Sequence, residues 1–136
     1  MGFEEFDRTK AAYGRKPNVT IQPRGLISIN QSAYRKMGEP EYVILMFDRD
    51  ERLVGIKGTS DTEKGYRVRV APRPGSPAAI SGSAFLNYYD LNLDETRKWT
   101  PTFDGGVLII DFKDPGRTVG NRASGGGNDP VDEDEE

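Results

Sequence analysis

The feature that most limits how this chain can fold is a stretch it contains twice. Residues Leu26–Met37 read LISINQSAYRKM, and Ile80, Ala84, Phe85 and Tyr88 repeat the apolar spacing of Ile29, Ala33, Tyr34 and Met37. Ser32 and Ser83 set the copies 51 positions apart (83 less 32). Each copy predicts a strand running into a short helix. Asn30 suits the first N-cap and Ser81 the second, because a short polar side chain can accept from an orphan N–H of the first turn. Gly38 suits the stop of the first helix. Residues at this spacing share one helical face. Ala33, Tyr34 and Met37, and in the second copy Ala84, Phe85 and Tyr88, are therefore expected in the core rather than as platforms for bases.

Around these helices the pattern is that of strands. Val19 and Ile21 alternate with polar neighbours, Pro23-Arg24-Gly25 bends the chain, and Ile27 and Ile29 resume the alternation. Glu41–Phe47 and Arg52–Lys57 predict a first hairpin across Asp48–Glu51. Tyr66–Val70 predicts a strand with one apolar and one basic face. Arg97–Phe103 and Val107–Phe112 predict a second hairpin, with Asp104-Gly105 as a type I′ signal. The continuous run Val107–Ile110 predicts burial on both faces. Trp99 is expected to pack on a neighbouring strand. The fold class is thus α+β, mostly β, in one domain at 17–112 (repeats at 17–58 and 65–112), after an N-terminal arm at 1–16. The stretch 113–136, almost without large apolar side chains, predicts a disordered acidic tail.

The net charge of −3 conceals an asymmetry. Six of the 22 acidic residues lie in the last eight positions; the rest of the chain holds 16 acids against 19 bases. From Arg8 to Lys36 there are seven bases and no acid. Such clustering is the usual electrostatic footprint of a surface that meets phosphate backbones. The chain has no cysteine and no histidine, which removes thiol chemistry, Cys-ligated metals and the commonest acid-base group near neutral pH. No metal or cofactor is expected, no small-molecule substrate, and no enzymatic activity. Asp48, Asp50 and Asp104 suit turn chemistry rather than a metal, and Gly125-Gly126-Gly127 suits a linker. The absence of an apolar span and of a signal-peptide core predicts a cytoplasmic protein without a membrane partner.

Two β-α-β-β units of this kind resemble the AbrB-type swapped-hairpin superfamily. The pieces that carry the resemblance are Thr20-Ile21, Leu26–Ile29, the helix at Gln31–Met37 and the hairpin Tyr42–Ile56. Tandem members such as the MraZ regulators carry both units on one chain, and this chain is similar to that arrangement. The resemblance implies a pseudo-twofold barrel, possible homo-oligomers, and binding of double-stranded DNA by a transcriptional regulator or nucleoid-type accessory. By position it implies contacts from Arg15, Lys16 and Arg24, from Arg35 and Lys36 on the helix, and from Arg67, Arg69 and Arg73 in the second unit. The alternative expectation is a protein-interaction module of the same fold whose basic face takes an acidic protein partner. The acidic tail is expected to compete with nucleic acid for that face.

Overall fold

The computed structural model describes residues 16–119. Among them eleven strands and two short helices follow the order β1 (Val19–Ile21), β2 (Leu26–Ile29), α1 (Gln31–Lys36), β3 (Tyr42–Asp48), β4 (Leu53–Thr59), β5 (Tyr66–Arg67), β6 (Arg69–Val70), β7 (Ala78–Ser81), α2 (Ser83–Tyr88), β8 (Arg97–Trp99), β9 (Thr102–Asp104), β10 (Val107–Asp111) and β11 (Arg117–Thr118). They build two antiparallel sheets. The first has the order β11-β8-β1-β2-β7-β6 and the second β5-β3-β4-β10-β9. Neither sheet closes into a barrel among the described residues. One core lies between them: Val19, Ile21, Ile27, Ile29, Ala78, Ile80 and Trp99 from the first sheet meet Val43, Val54, Ile56, Leu108 and Ile110 from the second. Period-two alternation therefore settles which face of each strand turns inward. Burying the valine, leucine and isoleucine side chains among these stabilises the fold by about 1.5–3 kcal/mol each, against the conformational entropy of ordering them.

The second half departs from its predicted hairpin. Arg97–Phe103 is not one strand. Pro101 carries no N–H, and the chain leaves one sheet for the other at Thr100-Pro101. Upstream, β8 pairs with β1 in the first sheet; downstream, β9 pairs with β10 in the second. The β9–β10 turn has Gly105 at φ 58° and Gly106 at φ 83°, the double positive φ that type I′ geometry demands. In β10 the burial alternates: Leu108 and Ile110 are buried, while Val107 and Ile109 are half-buried, so the run is not enclosed on both faces by this chain. The ordered fold also continues past Phe112 into the predicted tail. There β11 pairs with β8, and the Trp99 indole Nε1 donates to the Asp114 carbonyl at 2.7 Å.

The two helices differ in how they are set. Asn30 Oδ1 accepts from Ala33 N and from Asn18 N, both at 3.0 Å, while its Nδ2 donates to the Lys16 carbonyl. One side chain thus caps α1 and pins the entry to β1. The second N-cap is Gly82, not Ser81, and it makes no side-chain cap bond. A Cβ at Gly82 would stand 2.6 Å from Ile27 Cδ1, so a capping side chain there would have to displace the end of the Ile27 side chain.

Ser81 ends β7, so one more residue separates the inward Ile80 from its helix cap, Gly82, than separates Ile29 from Asn30. The strands align at the 51-residue offset, Ile29 with Ile80. The helices align at 52: Tyr34 N donates to Asn30 O as Leu86 N donates to Gly82 O, and Met37 N to Ala33 O as Tyr89 N to Phe85 O. One added residue turns a helix by about 100°. Hence Phe85 and Leu86 are buried, Tyr89 packs against the core, and Tyr88 is 74% exposed. Ala84 is exposed as well. These are the two positions where the expected core face of the second helix fails. In α1 the expectation holds: Ala33 is buried, with Tyr34 and Met37 against the core. The Tyr34 hydroxyl donates to the Pro40 carbonyl at 2.6 Å. Burial, then the nearby charges of Glu39 and Glu41, push its phenol pKa up.

Candidate nucleic-acid interface

The strand register defines the outward face of the first sheet. Val19, Ile21, Ile27, Ile29, Ala78, Ile80 and Trp99 point into the core, so their neighbours point away from it. Directly opposed partners share a face in an antiparallel sheet. The pairs Arg117↔Lys98, Lys98↔Thr20, Thr20↔Ser28, Ser28↔Ala79 and Ala79↔Arg69 therefore form one row across all six strands. Its centre is small and hydroxyl-bearing. Its two ends are cationic. A second outward pair is Leu26↔Ser81.

Turns place more cations around this face. Arg24 sits in the β1–β2 turn, beside the Leu26–Ser81 end of the central pair. The β6–β7 loop carries Arg73 at the opposite end, where Ile29 meets Ala78. Lys16 lies at that same end, its carbonyl held by Asn30. The β1–β2 turn is tight because Gly25 has φ +99° and its missing Cβ would fall 2.5 Å from Ser83 Cα. Only glycine combines that φ with that approach at small cost. An open depression of about 390 Å³ beside it is lined by Gln22, Arg24, Gly25, Leu26, Ser81 and Ser83, with no carboxylate among them.

Charge is divided between the two sheets. The six strands of the first sheet contain Arg69, Arg97, Lys98 and Arg117 and no acidic residue. The second sheet carries Asp48, Asp104 and Asp111 against Lys57 and Arg67. Arg97 is the inward cation of the first set: it lies opposite Ile21, and its guanidinium is taken by Glu95 at 2.8 Å and by the Pro115 carbonyl. Among the described residues Lys16, Arg24, Arg69, Arg73, Lys98 and Arg117 make no salt bridge.

The expected contact residues do not all converge. Lys16, Arg24, Arg69 and Arg73 frame the outward face of the first sheet. Arg67 does not: it stands opposite Tyr42 in the second sheet, because the strand predicted at Tyr66–Val70 changes sheet at the buried Val68. Arg35 and Lys36 end α1. Arg35 approaches Glu39 at 3.6 Å, and the Lys36 ammonium lies 5.6 Å from the centre of the Phe103 ring. Arg15, like residues 1–14 and the acidic stretch at 120–136, lies outside the described residues. Two cations were missed by sequence reasoning, Lys98 and Arg117. Lys98 has a local signal, since alternation puts it opposite the face of Trp99. Arg117 has none, because it lies in a stretch whose composition reads as tail.

Among the described residues no group of three or more His, Cys, Asp or Glu side chains could hold a metal ion, and no helix is long and apolar enough to cross a membrane. No protein-family model, curated protein or solved structure matches the chain.

Proposed function

We propose that this protein binds double-stranded DNA through the outward face of its first sheet, as a transcriptional regulator or nucleoid-type accessory. The observation that carries the reading is charge segregation: a row with cations at both ends and Thr20, Ser28 and Ala79 between, on strands without a single carboxylate. Lys98 and Arg69 are four strands apart, about 19 Å at about 4.8 Å per strand. That exceeds the roughly 12 Å width of a major groove, so the two ends can reach phosphates on both sides of it. The centre is too small to hold a duplex away. It also lacks the aromatic platforms that single-strand binders use. These contacts would mainly position the protein rather than read bases.

The tandem swapped-hairpin relation belongs to the same proposal. Two antiparallel pairs, β2 with β7 and β4 with β10, join corresponding strands of the two halves. A pseudo-twofold arrangement requires such pairs, and the proposed relation rests on them together with the duplicated helices.

Fluorescence anisotropy with a duplex across a salt series tests the reading. Four to six phosphate contacts predict a log–log slope of about −3.5 to −5.5. Replacing Arg69, Lys98 and Arg117 together with Ala should flatten the slope by about 2.7. Replacing Arg67 should leave it alone. No binding at about 50 mM salt would refute the proposal and leave the acidic-protein module as the better reading.

A further inference from the structure

The basic face of the first sheet lies where the chain leaves the fold. β11 is an edge strand of that sheet, next to β8. Arg117 stands opposite Lys98, which stands opposite Thr20; Thr118 stands opposite Arg97, which stands opposite Ile21. The chain therefore leaves β11 at the Ile21 end of the sheet. At that end β1 turns through Arg24 into β2, and Leu26 meets Ser81. Val119 N donates to the Thr96 carbonyl at 3.2 Å and fixes the departure. Glu95, the residue before Thr96, is paired with Arg97.

Beyond that exit the sequence supplies the opposite charge. Residues 120–136 hold six carboxylates, Asp129, Asp132, Glu133, Asp134, Glu135 and Glu136, and one cation, Arg122. Asp129 is ten residues beyond Val119 (129 less 119), a length of chain that spans at most about 33–36 Å. At about 4.8 Å per strand, the Arg24 turn is about 10–14 Å from β11, and Arg69 on β6 about 24 Å. Every cation of the row is thus within reach. Charge selects the face. The strands of the second sheet carry Asp48, Asp104 and Asp111, which repel a polyanion. Those of the first sheet carry no carboxylate, and the centre of its row offers the Thr20 and Ser28 hydroxyls as donors without bulk.

We infer that the acidic segment 129–136 docks within its own chain across the outward face of the first sheet, entering beside Arg24. A single exposed ion pair is weak, so the docking relies on several made together. Attachment to the same chain makes that binding intramolecular, which favours it without any new contact. The docking stands without the proposed DNA binding. Its consequence, that the segment keeps duplex off the face until DNA displaces it, rests on that reading.

Backbone amide NMR of the full chain tests the docking. In a comparison chain the six acids become amides: Asp129→Asn, Asp132→Asn, Glu133→Gln, Asp134→Asn, Glu135→Gln and Glu136→Gln. At about 50 mM salt the two chains should differ in shift at Arg24, Ser28, Ala79 and Arg69, and agree at Ile44, Lys57 and Ile109 on the second sheet. At about 1 M salt the screening length falls to about 3 Å, and the differences should vanish. Dilution should leave them unchanged. Matching spectra at low salt, or equal differences on both sheets, would overturn the inference. So would differences that fade on dilution, which belong to the tail of a second copy. Duplex anisotropy then reads the consequence. The amide chain should bind about tenfold tighter at about 50 mM salt, the scale of ordinary coupling between two ligands. Differing shifts with equal duplex affinity would overturn the exclusion. If the shifts differ and neither chain binds duplex, only the DNA reading fails. If both chains bind duplex equally and their spectra match, only the docking fails.

Discussion

Replacing Leu86 and Tyr88 one at a time with Ala measures the helix register directly. Both lie on α2, two residues apart. Leu86 is 1% exposed and Tyr88 74%. Removing a buried leucine to alanine loses its transfer free energy and leaves a cavity, about 2.7–5 kcal/mol in a well-packed core. Leu86 is a fully buried member of that core, and about 3 kcal/mol, within this range, is expected. For a domain of this size that lowers Tm by roughly 12–24 °C. Among the described residues Tyr88 makes one ring contact, edge-on to Tyr89 at 4.8 Å. Such a pair is worth at most about 0.5–1.5 kcal/mol, and exposure puts it at the low end. Tyr88→Ala should therefore cost about 0.5 kcal/mol. Urea titration followed by circular dichroism, with the m-value held constant, gives both numbers. A loss at Tyr88 equal to or larger than that at Leu86 would refute the 52-residue helix alignment and restore the 51-residue one.

Other outcomes follow from single sites. Gly25→Ala should destabilise by about 3 kcal/mol or more, since the left-handed backbone alone costs about 1–2 kcal/mol and Ser83 backbone blocks the Cβ; unchanged thermal unfolding would contradict that geometry. Asn30→Ala removes the α1 cap and two further hydrogen bonds and should cost about 2 kcal/mol by denaturant titration. Acid should weaken the fold through Asp61 and Asp111. Backbone N–H groups, chiefly of Lys64 for the first and Lys113 for the second, hold both carboxyls below the ordinary 3.8. A carboxyl lowered by folding stabilises above its unfolded pKa and loses that contribution as pH falls through the lower folded value. Asp61→Asn with Asp111→Asn should therefore flatten stability against pH below about 4 and not at neutral pH. In competition assays duplex should displace single-stranded DNA of equal length from the protein; the reverse preference would point away from the first-sheet face, which has no stacking residue.

What the sequence by itself determined was local. Period-two alternation identified Val19, Ile21, Ile27 and Ile29 as inward, because strand geometry forces successive side chains to opposite faces. Asn30 announced the α1 cap, since its amide competes well for the first-turn N–H. The excess of bases near the first strands was visible without any fold. What only the tertiary structure decided was non-local pairing. Nothing near Lys98 or Arg117 in the chain says that β8 leaves its hairpin for β1, or that β11 follows it; that choice depends on Trp99 finding the core and Pro101 ending the strand. The division of Arg67 from Arg69 likewise depends on Val68 being buried where the chain changes sheet. The duplicated stretch was legible as a repeat, but its offset of 51 held only for the strands. Ser81 has the same local chemistry whether it caps a helix or precedes the cap. Only the fold puts the cap at Gly82, one residue further beyond Ile80 than Asn30 stands beyond Ile29, and that added residue turns the second helix, and with it Tyr88, out to solvent.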